Sequence, residues 1–199
     1  IPVPVNTLLR SHDYCFILSD SQCKAVIYSA EYAVEIEPAL DNSRPETAIQ
    51  AICIDGFQAM ISEANTSVQI APTGAEDDCF WLYSSGSTGN PKGVIHRHRD
   101  MVVTSQRYGV ETLAVAESDT CFSAAKLFFA YGLGNAMTFP LWVGATTILD
   151  DTRPTPESIA KTIAKFKPTL YFAVPTLYVS QLQAMPTTPL DSSSIRYCV

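Results

Sequence analysis

Short apolar runs alternate with amphipathic stretches along almost the whole of this 199-residue chain. That alternation is the mark of strand–helix units wound around a largely parallel sheet. Strands are expected at 24–28, 49–54, 79–83, 94–98, 120–124, 146–149 and 170–174, with a last run at 194–199 that reads as a strand cut before any turn. Helices are expected at 11–19, with Ser11 as its cap, and at 31–40, 135–142 and 177–184. The clearest helix signals lie around 156–166: Thr155 as N-cap, Pro156 at the first position, Glu157 in the first turn, Ile159, Ile163 and Phe166 on one face, and Pro168 as the stop. The fold class is therefore α/β, with largely parallel sheets flanked by helices. Residues 1–64 read as a first α/β part, 65–78 as a linker by composition, and 79–199 as a second part; there is no internal repeat.

Charge is unevenly spread. The chain has 13 Lys+Arg against 20 Asp+Glu, a net −7, which argues against a nucleic acid or an anionic membrane surface as main partner. Yet residues 1–80 hold twelve acids and three bases, while 81–199 hold eight acids and ten bases. Trp81 to Arg99 contains Lys92, Arg97 and Arg99 and no acid, so an anion is to be sought there. The uncharged run 127–149 has the length of a membrane span, but Gly132, Gly134, Asn135, Pro140 and Gly144 divide it into a loop, a helix and a strand. The six cysteines form no CxxC pair, which fits reduced thiols in a cytoplasmic protein. With Ile1-Pro-Val-Pro-Val at one end and the cut strand at the other, the chain reads as a piece of a longer polypeptide.

The chemistry is concentrated in Tyr83-Ser-Ser-Gly-Ser-Thr-Gly-Asn-Pro-Lys-Gly93. Three of the nine glycines lie at 86, 89 and 93, with four hydroxyls between 84 and 88 and one lysine at 92. Glycines let successive N–H groups converge on an oxyanion, hydroxyls add donors, and the lysine adds a mobile charge, which together suit a polyphosphate. The spacing is not that of a Walker A loop, since Pro91 precedes the lysine where Gly is needed and Gly93 follows where Ser or Thr should hold magnesium. No Gly-x-Gly occurs in the loop, so it is not a dinucleotide fingerprint. The bland alternative is a flexible Ser/Gly linker. Against it, apolar 80–83 leads straight in and Val94-Ile95 straight out, which predicts that both anchors are buried.

With its continuation to His96, this run resembles the signature phosphate loop of the acyl-adenylate-forming (AMP-binding) superfamily. Phe122-Ser-Ala-Ala-Lys-Leu-Phe-Phe-Ala-Tyr-Gly-Leu-Gly-Asn135, Thr138-Phe-Pro-Leu141, Gly144-Ala-Thr-Thr147, Pro2-Val-Pro-Val-Asn-Thr-Leu8 and Arg153-Pro-Thr-Pro156 resemble the benzoate-CoA ligase, or aryl-CoA ligase, group. The likeness covers essentially all 199 residues. It implies an incomplete N-terminal domain, with the C-terminal domain and its adenylation lysine, a Thr-Glu motif and a ribose-binding Asp lying beyond Val199. It implies that Ser84, Ser85, Gly86, Ser87, Thr88, Gly89 and Lys92 wrap the β- and γ-phosphates of ATP, with Lys92 and Thr88 catalytic. A benzoate-like carboxylate would then attack the α-phosphorus, pyrophosphate would leave with help from Lys92 and Mg2+, and coenzyme A would convert the aryl-adenylate to a thioester with release of AMP. Ala130, Tyr131 and Gly132 are implied at the aryl pocket, Tyr131 at its gate. The alternatives are a ligase for another aryl or alkyl acid, or a non-catalytic nucleotide-binding module. The 199 residues alone are expected to show no turnover.

The residues also carry plainer readings. Phe128, Phe129 and Tyr131 interleave with Ala130, Gly132 and Gly134, which could wall a flat slot or simply fill a core. Lys126 is placed to meet a substrate carboxylate or to lie in solvent. His96 and His98 are expected on one strand face, without a third metal ligand in view. Glu76-Asp77-Asp78 and Asp150-Asp151 read as exposed acidic turns.

Overall fold

The computed structural model describes residues 1–43, 46, 48–64, 67–84 and 89–199, and for Gln58 the backbone alone. The chain divides into two compact units: a larger one of 1–4, 75–82 and 96–199, and a smaller one of 5–74 and 83–95.

The smaller unit is built on α1 (Ser11–Asp20), β1 (Ala25–Tyr28), α2 (Ala33–Asn42), β2 (Gln50–Cys53) and α3 (Ile54–Glu63). Strands β1 and β2 pair in parallel, Ala25 opposite Gln50 and Tyr28 opposite Cys53. Tyr14 and Leu18 of α1 bury against Ile36 and Ala39 of α2. Ser11 is the first helical residue and not the cap; Arg10 takes that place, and its N–H donates to the Asp13 carboxylate at 3.1 Å. Glu35 of α2 meets this helix start, its carboxylate accepting from the Ser11 N–H at 2.7 Å, the Ser11 hydroxyl at 2.6 Å and Arg10 Nη1 at 2.9 Å. A negative charge at a helix N-terminus is favoured by the exposed N–H groups there. Those three bonds hold the Glu35 carboxyl below its ordinary range. Helix α3 falls where no helix was expected: its apolar residues Ile54, Met60 and Ile61 are exposed, so it offers no buried stripe to read.

The boundary between the units passes through β3 (Asp78–Ser84) and β4 (Lys92–Arg97), which form a two-stranded sheet. The larger unit continues with α4 (His98–Thr104), a π-helical segment Ser105–Val110, β5 (Thr120–Ser123), α5 (Ala130–Leu133), a second π-helical segment Gly134–Thr138, α6 (Phe139–Val143), β6 (Thr146–Ile148), α7 (Pro156–Phe166), β7 (Leu170–Phe172), α8 (Pro175–Ala184) and β8 (Tyr197–Cys198). Its sheet has the order β6-β5-β7-β8, with every neighbouring pair parallel. Helices return the chain between successive strands, so both faces of the sheet are covered and side chains alternate between two cores. Cys121, Leu170 and Phe172 join Leu113 and Val115 on one face; Phe122 and Tyr171 join Ile148, Ile159 and Ile163 on the other. Phe122 and Tyr171 are direct partners in register, their rings stacked with centroids 5.6 Å apart.

Helix α7 has the caps its sequence announces. Thr155 Oγ1 accepts from the Ser158 N–H at 3.2 Å, and Ser158 Oγ accepts from the Thr155 N–H at 2.9 Å. The helix ends at Lys167 in a left-handed conformation, φ 49°, just before Pro168. Ile159 and Ile163 are buried as expected, but Phe166 in the last turn is 48% exposed, with the Lys165 ammonium 4.7 Å from its ring centre. Strand β4 ends at Arg97, so His98 opens α4 and does not share a strand face with His96.

Asp119 and Arg196, 77 positions apart in sequence, clasp the start of β5 to the strand that closes the sheet. Arg196 Nε and Nη2 donate to the two Asp119 oxygens at 3.0 and 2.6 Å, and its remaining donors reach the Leu113 and Ala114 carbonyls. Asp119 also accepts from Thr169 Oγ1 at 2.7 Å and from the Ala116 N–H at 2.9 Å. Burial opposes the charge on Asp119, which is 6% exposed, but Arg196, Thr169 and the Ala116 N–H outweigh it and bring the carboxyl down to about 2.

Candidate active site

The two stems of the phosphate-type loop are held together in the smaller unit. Tyr83, the last residue before the loop, donates its phenol to Asp20 at the end of α1 at 2.6 Å. Its ring lies against Gly93 on the far stem, where an added Cβ would sit 3.1 Å from Tyr83 Cζ. Burial, then the hydrogen bond and charge of Asp20, push the Tyr83 phenol above its ordinary range. Ser84 ends β3 and Lys92 begins β4, both exposed, and Gly89 has φ 124°, a conformation that favours glycine. Ser85, Gly86, Ser87 and Thr88 lie outside the described residues.

Two expectations about the flanks need correction. Val94 and Ile95 are 46% and 48% exposed: among the described residues β4 pairs only with β3 in a two-stranded sheet, which leaves these side chains uncovered, whereas Leu82 on the entry stem is buried. The basic stretch is also less open to an anion than its composition implies. Arg97 and Arg99 each donate to Glu76 at 2.5 Å, so two of its three cations share one carboxylate, and Glu76 is no idle acidic turn. His96 stacks on Phe80 with centroids 4.7 Å apart, and its Nδ1 lies 3.7 Å from Asp100.

The aromatic segment of the larger unit begins as a loop, with Phe128 and Phe129 in a turn, and becomes helical at Ala130. Ala130, Tyr131 and Gly132 are successive residues of α5. Ala130 is exposed, Tyr131 half-buried and Gly132 buried. The Tyr131 ring packs on the core around Leu113, Cys121 and Phe172, meeting Phe172 edge-on, and its hydroxyl donates to the backbone oxygen of Val199 at 2.6 Å. Burial pushes this phenol up to about 12, so it remains a donor at neutral pH. Gly132 permits a close approach, since an added Cβ there would lie 2.2 Å from the Lys126 carbonyl oxygen. Phe129 is exposed and its ring meets Phe128 at 4.7 Å.

Lys126 does not lie free in solvent: its ammonium donates to the carbonyls of Asp150 and Thr152, near the Asp150 carboxylate. Asp150 is likewise no bare turn. Its carboxylate accepts from the Thr152 N–H at 2.8 Å, the Thr152 hydroxyl at 2.7 Å and the Thr162 hydroxyl at 3.0 Å. An open cavity of about 500 Å3 lies between these segments, bordered by Ser123, Ala125, Lys126, Leu127, Leu149 and Asp150 among others; Ala130, Tyr131 and Gly132 are not in its lining. Among the described residues, no helix is long and apolar enough to cross a membrane.

Comparison with known proteins accords with the loop. Residues 1–199 match the family model described as AMP-binding enzyme. The benzoate–CoA ligase of Thauera aromatica is 40% identical over 204 aligned positions, covering all of this chain and 38% of the relative. A 4-hydroxybenzoate–CoA/benzoate–CoA ligase of Rhodopseudomonas palustris is 40% identical over 206 positions, with the same coverage. The chain thus spans 38% of the length of these relatives. Among solved structures, a benzoate CoA ligase from Burkholderia xenovorans LB400 superimposes with a TM-score of 0.84 at 38% identity, over 98% of this chain and 39% of that one. An anthranilate CoA ligase solved with anthranoyl-AMP gives 0.90 at 34% identity, over 100% of this chain and 40% of that one. With a family match along its whole length, the chain belongs to the AMP-binding enzyme family.

Proposed function

We propose that this chain is the phosphate-loop and aryl-pocket part of an ATP-dependent aryl-CoA ligase. The observation that carries the reading is the 40% identity to benzoate–CoA ligases over alignments that cover the entire chain. In this reading the carboxylate of a benzoate-like acid attacks the α-phosphorus of ATP. Backbone N–H groups and hydroxyls of 84–89 and the Lys92 ammonium receive the charge that develops on the departing pyrophosphate. Coenzyme A thiolate then attacks the carbonyl of the aryl-adenylate, forming the thioester and releasing AMP. Ala130, Tyr131 and Gly132 border the aryl group, with Tyr131 held in place by its bond to Val199. Mg2+ is expected to arrive with the ATP phosphates. Among the described residues no cluster of three His, Cys, Asp or Glu is set to hold it, so none of these side chains is assigned to it.

The six cysteines are free, and the cytoplasm is the proposed place of action. Since the chain spans 38% of its relatives, turnover is expected of the full-length ligase and not of the 199 residues alone. The test is a panel of acids given to the full-length ligase with ATP and coenzyme A, with products identified by mass. Benzoate, hydroxybenzoates or aminobenzoates should yield an aryl-CoA thioester with AMP. A thioester formed only from linear alkanoates would replace the aryl assignment, and no product from any acid would favour a non-catalytic nucleotide-binding module.

A further inference from the structure

Lys126 stands where three segments meet. Its backbone oxygen accepts from the Phe129 N–H at 3.1 Å and lies so close to Gly132 that no Cβ fits between them. The start of α5, which carries Tyr131, is therefore seated on the Lys126 peptide. Its side chain leaves in another direction, to the connection between β6 and α7, where the ammonium bonds the carbonyls of Asp150 and Thr152. Those carbonyls converge because the Asp150 carboxylate folds its own turn, accepting from Thr152 N–H and both threonine hydroxyls. The cation thus makes its named bonds to backbone carbonyls, while the neighbouring carboxylate shapes the turn that presents them. Lys126 also borders the cavity of about 500 Å3 whose walls come from these same two connections.

We propose that Lys126 is a positioning residue for the aryl-acid half of the reaction. By stapling the β5–α5 connection to the β6–α7 connection, it fixes the seat of Gly132 and hence the orientation of Tyr131, without touching ATP or the acid. This rests on the aryl-CoA ligase reading for the meaning of Tyr131, while the staple itself has a readout that does not.

The experiment compares Lys126→Met, which keeps the apolar stem and loses the donors, with Lys126→Arg, which keeps donors and charge, and with Asp150→Ala, which disturbs the carbonyl pair from the other side. In the full-length ligase, Lys126→Met should raise the KM for the aromatic acid about tenfold, roughly what one lost charge-assisted contact is worth. The KM for ATP should stay within about twofold, and the preference between benzoate and a substituted benzoate should shift. Lys126→Arg should restore most of the loss. Asp150→Ala should reproduce it, and the double variant should be no worse than either single one. Independently of activity, Lys126→Met should speed amide hydrogen exchange in 126–133 and 150–152 and leave α1 and α2 unchanged, which also serves if the ligase turns over no aromatic acid. Unchanged exchange in those segments overturns the staple. Unchanged acid KM, or KM values for acid and ATP that rise together, overturn its role in acid positioning. A kcat loss restored by Arg but not shared by Asp150→Ala overturns it as well, since it would place Lys126 on the substrate.

Discussion

Replacing Lys92 by methionine is expected to slow aryl-acid-dependent exchange of pyrophosphate into ATP by about 10²–10³-fold, the usual loss when one preorganised donor to a developing charge is removed. Binding of the aromatic acid itself should change by less than about threefold, because in the proposed reaction this lysine acts on the leaving phosphates and not on the acid. Arg97 and Arg99 share Glu76, whereas Lys92 stands exposed at the first position of β4, directly after the loop. Lys92→Arg should recover only part of the rate, since a rigid fork does not replace a compact ammonium. Exchange at the wild-type rate in Lys92→Met would remove the lysine from the mechanism. An equal loss in Arg97→Met would return the anion to the basic stretch as a whole.

Arg196→Met should cost stability more than any surface change in the chain, about 3–5 kcal/mol, because it strands a buried carboxylate. Asp119 is within reach of Thr169 and the Ala116 N–H, but these neutral donors do not balance its charge. The loss is read as a lower urea midpoint for exchange of the β5 and β7 amides in the full-length ligase. The same pair gives a pH signature. The folded Asp119 carboxyl titrates near 2, below its ordinary 3.8, so the folded state binds that proton less readily than the unfolded chain. Its contribution, about 2 kcal/mol, is therefore complete above pH 4 and disappears as pH falls from about 4 through 2. Asp119→Asn should flatten that part of the stability profile. A midpoint unmoved by Arg196→Met, or an acid limb unchanged in Asp119→Asn, would show that the clasp does not hold the sheet.

What could be read from the sequence was local. The α7 caps use neighbours three residues apart, and β5, β6 and β7 are short uncharged runs rich in β-branched and aromatic residues, so local composition and turn chemistry found them. The loop could be read because glycines, hydroxyls and a lysine within ten positions have few other uses. The Asp119–Arg196 clasp joins residues 77 positions apart and leaves no local mark. The Gly-rich stretch 130–134 looked like a loop because its glycines were judged by backbone freedom. In the fold they serve close approach: Gly132 lies under the Lys126 carbonyl and Gly134 against the Phe139 ring, which a side chain at either place would strike. Lys126 was ambiguous for the same reason, since its acceptors are carbonyls more than twenty residues away and carbonyls have no residue signature.

In the proposed reaction an aromatic carboxylate is activated as an acyl-adenylate before any thioester forms. The most direct measurement of that step is exchange of labelled pyrophosphate into ATP by the full-length ligase, with benzoate or a substituted benzoate present and coenzyme A omitted. Exchange is expected to depend on the aromatic acid, to proceed without coenzyme A and to fall sharply in Lys92→Met. Exchange that requires coenzyme A, or ATP consumed to ADP and phosphate in its place, would contradict that reaction.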